Sequence, residues 1–423
     1  MERYGRVERI FKNDQCTLKM KNIAIINSSN AFSSTGKIAV CLFNNLVNKG
    51  YNVHFYYGRG VKNENPYHHM IESKYEVYLH GFLSRITGLQ GSFSKIATAK
   101  MCKSLRDNKI DTIIAICMHG YYLNEWALYD FIANNNINVV FTMIDEYQYL
   151  GACTNEPPCT RFIDGKGKCP NIGKYPKSYF FDTCPYIMRH KEKHYKKMAN
   201  ALFVGPEFLV NNARRSYLGS FMKTIVLDEA IDLDMYCPQA ASEIKERHNI
   251  KEDAIVILCV APSNHPHRGA DYFISAAKHF ANNEDYVFIH IGYKYADKSS
   301  LPSNFIPISF IEKDEDVAKY YSMADLLINP STADAMSNTC LEALACGTPI
   351  ACFNMTGMPY LLDETVGTLM PPKDVNSIIE VIQNTKKKTK DVISTCRAYA
   401  LKRYDNKKWA DAIEKIAKEG TLD

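Results

Sequence analysis

Asn329-Pro-Ser-Thr-Ala-Asp-Ala-Met-Ser-Asn-Thr-Cys-Leu-Glu-Ala-Leu-Ala-Cys-Gly-Thr-Pro-Ile350 reads as the end of a strand, a loop, a helix and the start of a second strand. The apolar run Asp325–Asn329 enters it, Asp334 sits in the loop, and a helix begins at Ser337 or Asn338. Gly347 ends that helix and Pro349 opens the next strand. The first helical turn, with Asn338 and Thr339, offers unpaired backbone amides and the positive end of the helix dipole, which together bind phosphate. Glu342 stands about one turn further in, where a carboxylate accepts hydrogen bonds from ribose hydroxyls. Asp334 reaches toward a sugar beyond a pyrophosphate. From local chemistry alone, an ordinary strand–helix–strand unit whose acids cap and solubilise the helix fits as well.

Outward from this stretch the same rhythm recurs. In the C-terminal half, Ala254–Ala261, Tyr286–Ile291, Asp325–Asn329 and Pro349–Phe353 are strand-length apolar runs with helices between them. In the N-terminal half the runs are Asn22–Asn27, Asn52–Tyr57, Thr112–Cys117, Asn138–Met143 and Ala201–Val204. A helix carrying Ile38, Ala39, Leu42, Phe43 and Leu46 follows the first of these and closes at Gly50. Strands alternating with helices imply parallel sheets covered on both faces. The expected fold class is α/β, with two facing Rossmann-like, doubly wound domains and a ligand cleft between their strand ends. Leu227–Gln239 is the expected linker. The expected units are a charged leader 1–19 outside the fold, an N-terminal domain 20–228, a C-terminal domain 229–403 and a terminal helix 404–423. Trp409 and Ile413 share one face of that helix, ready to pack back on the N-terminal domain. Between Ile144 and Tyr186 lie roughly forty residues rich in Pro, Gly, Cys and Tyr, an insertion of a length that is usually functional or stapled.

Composition bounds the function. The chain has 423 residues, 46% hydrophobic and 23% charged, the balance of a globular protein with room for two cores. Its apolar runs are far short of a membrane span, and no secretory signal is visible, so a cytoplasmic location is expected. A net charge of +5 is mild, and the dispersed basic residues match no nucleic-acid-binding motif, so no nucleic-acid partner is expected. Most of the 14 cysteines lie in apolar segments, where a reduced thiol behaves as a small hydrophobe.

Asp334, seven intervening residues, Glu342 and then Ala-Leu-Ala-Cys-Gly-Thr-Pro-Ile resemble the acidic signature of glycosyltransferase family 4, which has the GT-B fold. The usual signature begins with Glu; the Asp form with Asn338-Thr339 inside it resembles the branch of colanic-acid and other exopolysaccharide transferases. Ser34-Thr-Gly-Lys-Ile-Ala, Gly50-Tyr-Asn-Val, Tyr57-Gly-Arg, His119-Gly-Tyr-Tyr-Leu-Asn, the Cys-rich insertion with Cys169-Pro, and Ile231-Asp-Leu-Asp extend the resemblance over almost the whole chain from Met20.

The resemblance implies a nucleotide-diphosphate sugar as donor and a hydroxyl of a glycan or lipid-linked glycan as acceptor. It further implies retention at the anomeric carbon and no required cofactor or catalytic metal. Arg268-Gly269 occupies the place of the family's pyrophosphate-binding Lys-Gly, and an arginine there holds phosphates by charge-assisted hydrogen bonds. His119 occupies the family's sugar-facing position, and Gly36 lets backbone approach the donor. For each, a bland alternative stands beside the functional one: a solvated Arg268, a structural His119, Gly36 as a simple helix entry, and Lys37 pointing to solvent.

Four positions depart from the pattern. Ser263 replaces a second basic residue, Ile144 precedes Asp145 where His is usual, Glu229-Ala230 replaces Asn-Gly, and Tyr360 replaces an acid. They leave donor and acceptor identity open. They also keep in view a sugar-nucleotide epimerase and a non-catalytic protein with a decayed site. Cys153, Cys159 and Cys169, with Cys184 further on, form either a structural zinc site, a set of reduced thiols or a disulfide. The basic run Arg189–Lys197 either faces solvent or touches the head groups of the inner membrane.

Overall fold

Alternation of buried side chains decides how each half folds. In the first strand Ile23 and Ile25 face one apolar layer, with Ile38 and Leu42, while Ala24 and Ile26 face the opposite layer, with Met101 and Leu128. A strand buried on both faces needs helices on both sides of its sheet. The computed structural model describes residues 20–30, 33–154, 159–165, 169, 172–173, 178–294 and 301–422; the leader 1–19 lies outside them.

The first sheet contains β1 (Asn22–Ser29), β2 (Asn52–Arg59), β3 (His68–Met70), β4 (Thr112–Ala115), β5 (Asn138–Thr142), β6 (Ala201–Gly205) and β7 (Lys223–Val226). Their spatial order is β3-β2-β1-β4-β5-β6-β7, and each neighbouring pair is parallel. The second contains β8 (Ile255–Val260), β9 (Tyr286–Ile291), β10 (Phe305–Ile308), β11 (Leu326–Asn329), β12 (Ile350–Phe353) and β13 (Gly367–Met370). Its order is β10-β9-β8-β11-β12-β13, again all parallel. Val256 and Leu258 pack toward Leu341 on one face, and Ile257 and Cys259 toward Phe273 on the other. Two doubly wound Rossmann-like domains result, the fold class expected from the sequence.

In each sheet the chain order reverses at one place, between β1 and β4 and between β8 and β11. Loops leaving adjacent strands diverge there, which opens a crevice beyond the strand ends. The loop after β4 carries His119, the loop after β8 carries Arg268, and the loop after β11 carries Asp334.

The chain crosses between the domains twice. On the first crossing Arg397 pins the connecting segment, donating to the carbonyl oxygens of Leu233 (2.8 Å) and Tyr236 (2.6 Å). Arg403 meets Asp228 at 2.6 Å, and Ile231 bridges Asp405. On the second crossing the helix Asn406–Glu419 returns to the helix Ser34–Asn48, burying Trp409, Ile413 and Ile416 against Ile38, Leu42 and Leu46. Glu414 fixes this contact by accepting from Tyr51 Oη (2.7 Å) and pairing with Lys418 (2.5 Å) and Lys49. Burial alone would raise its carboxyl, but those partners prevail and hold it down to about 2.

The basic run is not a uniform surface. It lies on the helix Cys184–Tyr195, where Lys191 is fully buried and donates to Leu150 O (2.9 Å) and Gly151 O (3.2 Å) with its ammonium 3.9 Å from the Tyr147 ring centre. Burial lowers its pKa to about 8, against the pull of Glu125. Lys191 is therefore withdrawn from any surface role, because three backbone carbonyls at the base of the insertion need its donors.

Candidate active site

The helix Asn338–Ala345 begins where Asn329, at the end of β11, organises the loop before it. Asn329 Nδ2 donates to Ser337 Oγ (2.6 Å), and its Oδ1 accepts from Ser331 N (3.1 Å). Ser337 is the N-cap but makes no side-chain bond to the first turn, and Thr339 Oγ1 bonds Ser337 Oγ at 3.0 Å. Asn338 Oδ1 is buried without a hydrogen-bond partner among the described residues. The helix start is thus left uncapped by side chains, as an anion-binding N-terminus is.

Arg268 and Asp334 form an ion pair. Gly269 makes this possible: its φ is +73°, and a Cβ there would fall 1.8 Å from Pro330 O. The loops after β8 and β11 therefore touch backbone to backbone, a contact only glycine allows. The Asp334 carbonyl accepts from Gly357 N (3.0 Å) and from Thr356 Oγ1 (2.8 Å), which fixes the acid's position. Burial raises the Asp334 carboxyl, with Arg268 opposing the shift.

His119 Nε2 lies 2.7 Å from Asp145 Oδ2 and 3.4 Å from Cys117 Sγ. Burial disfavours its charge, but Cys117 and Asp145 outweigh this and raise its pKa. The carboxylate of Asp145 fixes the orientation of the ring. Asp145, present in the sequence beside Ile144, thereby holds His119 in place, a role its flanking residue gave no hint of.

Glu229 is an acid within electrostatic reach of both pairs. Its Oε1 is buried and unpartnered among the described residues. Burial raises its pKa strongly, and the charges of Asp334, Asp145 and Asp228 add to the rise. The residue met in the sequence as a departure from Asn-Gly is a buried acid that feels the charges of Asp334 and Asp145. Nothing local in the linker marked it, because its neighbours are distant in sequence.

Glu342 accepts from Tyr321 Oη at 2.8 Å, and burial raises its carboxyl to about 7, with Tyr321, Tyr236 and Lys37 opposing. Tyrosine hydroxyls thus occupy hydrogen-bonding positions on this carboxyl. A cleft of about 760 Å³ opens between the domains, lined by Lys37, Ala230, Tyr236, Asp314, Asn338 and Glu342 among others. That volume suits a ligand of nucleotide size. Lys37 pairs with Asp314 across it rather than pointing free to solvent. Arg268, Asp334 and His119 do not line this cleft; the Arg268–Asp334 pair keeps both groups engaged with each other.

Two expectations change. A Cβ at Gly36 would fall 1.5 Å from Asn30 O, so the close approach it permits is to the protein's own loop, and its N–H caps onto Ser33 Oγ (3.0 Å). The cysteine group consists of Cys153, Cys169 and Cys184, with Cys184 taking the place expected for Cys159, because the start of the helix Cys184–Tyr195 folds against residues 151–153. Ser263 serves structure: its hydroxyl accepts Lys294 N–H at 2.8 Å.

Residues 241–403 match the family model described as Glycosyl transferases group 1. Over this stretch the chain is similar to the group 1 glycosyl transferases. The stretch carries Arg268, Asp334, Asn338 and Glu342. Among curated relatives, the O-antigen chain mannosyltransferase B of Escherichia coli is 31% identical over 88 residues, 21% of this chain and 23% of its own length. The stretches matched in curated relatives cover 23% to 38% of those proteins. Solved structures match far more of the chain at low identity, which shows the fold. Sucrose-phosphate synthase from Thermosynechococcus elongatus superposes with a TM-score of 0.65 at 14% identity, covering 94% of this chain and 98% of that one. Anabaena HepE in complex with UDP and glucose gives 0.59 at 14% identity, covering 93% and 98%. The two domains together have the GT-B fold. No helix among the described residues is long and apolar enough to cross a membrane.

Proposed function

We propose that this protein is a retaining glycosyltransferase of the family 4 kind, moving a hexosyl or related sugar from a nucleoside-diphosphate donor to a hydroxyl of a growing surface glycan, free or lipid-linked. The observation that carries the reading is Arg268 held against Asp334 beside an uncapped helix start at Asn338, within the stretch similar to the group 1 glycosyl transferases. In this reading the donor diphosphate draws Arg268 from Asp334 and settles on the amides at Asn338 and Thr339. Arg268 then stabilises the charge that develops as the sugar leaves. Asp334 and His119 position the sugar, and Glu342 exchanges its tyrosine partners for ribose hydroxyls. The departing phosphate takes the acceptor proton, so Arg268 and the helix dipole supply the positive field without a catalytic metal. The cytoplasmic face of the inner membrane, where lipid-linked glycans are extended, is the proposed place of work.

The test is an acceptor-dependent assay of nucleoside-diphosphate release, with the product's anomeric configuration read by NMR. Release that requires acceptor and keeps the donor's configuration is expected. Turnover of the donor alone to an isomer would replace this reading with the epimerase, and inversion would remove the assigned chemistry.

A further inference from the structure

We propose that Cys153, Cys169 and Cys184 bind a structural zinc ion that fastens the 144–186 insertion to the N-terminal domain. Their three sulfur atoms lie within 4.8 Å of one another, and none is in a disulfide. A tetrahedral zinc with bonds of about 2.3 Å places sulfurs about 3.8 Å apart, so a small contraction brings these three into bonding positions and leaves one position for a further ligand. A disulfide would use two of the three and leave the third thiol beside it.

The backbone around these thiols is built to hold them together. Asp182 accepts from the N–H groups of both Cys169 (3.1 Å) and Cys184 (3.2 Å), and Arg161 holds Asp182 in turn at 2.5 Å. On the other side, a Cβ at Gly151 would fall 2.7 Å from Cys184 Cβ, so glycine there lets the segment bearing Cys153 lie against the helix start. Two segments distant in sequence thus converge with three thiols at their junction. Within the described part of the insertion, the regular structure amounts to the single turns Glu146–Gln148 and Arg161–Asp164. A stretch with so little regular structure gains much from a metal staple.

The staple also bears on the cleft. The segment it anchors starts at Asp145, which holds His119, and Lys191 ties residues 150 and 151 to the same helix as Cys184. Zinc binding displaces the thiol protons and contributes directly to folding of the module.

The experiment measures metal in the full chain purified without chelator. About one zinc per chain is expected by elemental mass spectrometry, falling at least tenfold in each of Cys153→Ser, Cys169→Ser and Cys184→Ser but not in Cys237→Ser. Should a variant fail to fold, cobalt exchanged into the wild-type protein provides the second measurement, and a thiolate-to-cobalt charge-transfer band in the near ultraviolet is expected. Stripping the metal should expose residues 144–186 to protease while the rest resists. Zinc below a tenth of an equivalent, with the three thiols reacting as free groups or two of them disulfide-bonded by mass spectrometry, would overturn the proposal.

Discussion

Glu342 shows how a single carboxyl is readied for a ligand it has not yet met. Held by tyrosine hydroxyls and raised to about 7 by burial, it is partly protonated at neutral pH. If ribose hydroxyls donate to the carboxylate, as proposed, donor affinity should strengthen as pH rises through about 7, and Glu342→Gln should flatten that dependence in calorimetric titrations. Stability runs the other way. A folded pKa above the unfolded value means the native state binds more protons, so this group's contribution is full below about 4.5 and is lost as pH rises through about 7. Denaturant titrations of wild type and Glu342→Gln should therefore diverge in favour of the variant toward pH 8. Parallel curves would show that Glu342 is already ionised in the free protein.

At the scale of elements, Gly269 is where a loop contact becomes site geometry. Gly269→Ala places a methyl group on Pro330 O at positive φ, and should cost about 1–3 kcal/mol in denaturant unfolding while displacing Arg268 from Asp334. Unchanged stability and activity would mean the two loops are slack. The strands of the site were plain in the sequence because each is a central, doubly buried apolar run. The strands that sequence patterning passed over, β3, β7, β10 and β13, are the outer edges of the two sheets. Each is three or four residues long and half-exposed, which erases the apolar run that betrays a central strand. Likewise Arg268, Asp334 and Glu342 stood out in one or two local motifs. Glu229 and the Asp145–His119 pair did not, since their meaning lies in neighbours brought by the switch points and the linker.

For the whole molecule, the helix Asn406–Glu419 decides how the domains face each other. It leaves the C-terminal domain and buries Trp409 on the N-terminal one, so the cleft is framed by a covalent strap as well as by Lys37–Asp314. An exposed ion pair of that kind contributes about 0–1 kcal/mol, whereas Trp409→Ala should destabilise by about 3–5 kcal/mol. A loss under about 1 kcal/mol in denaturant unfolding would show that the strap is not packed as described.

The central claim, that a nucleoside-diphosphate sugar binds at the helix start by Asn338 and draws Arg268 from Asp334 to its diphosphate, is tested most directly by thermal unfolding with UDP-, GDP-, ADP- and dTDP-sugars, on wild type and Arg268→Ala. A ligand that binds only the native state raises the melting temperature. One donor class should stabilise the wild type and leave the folded variant unmoved. No shift with any donor, or the same shift in both proteins, would contradict the account.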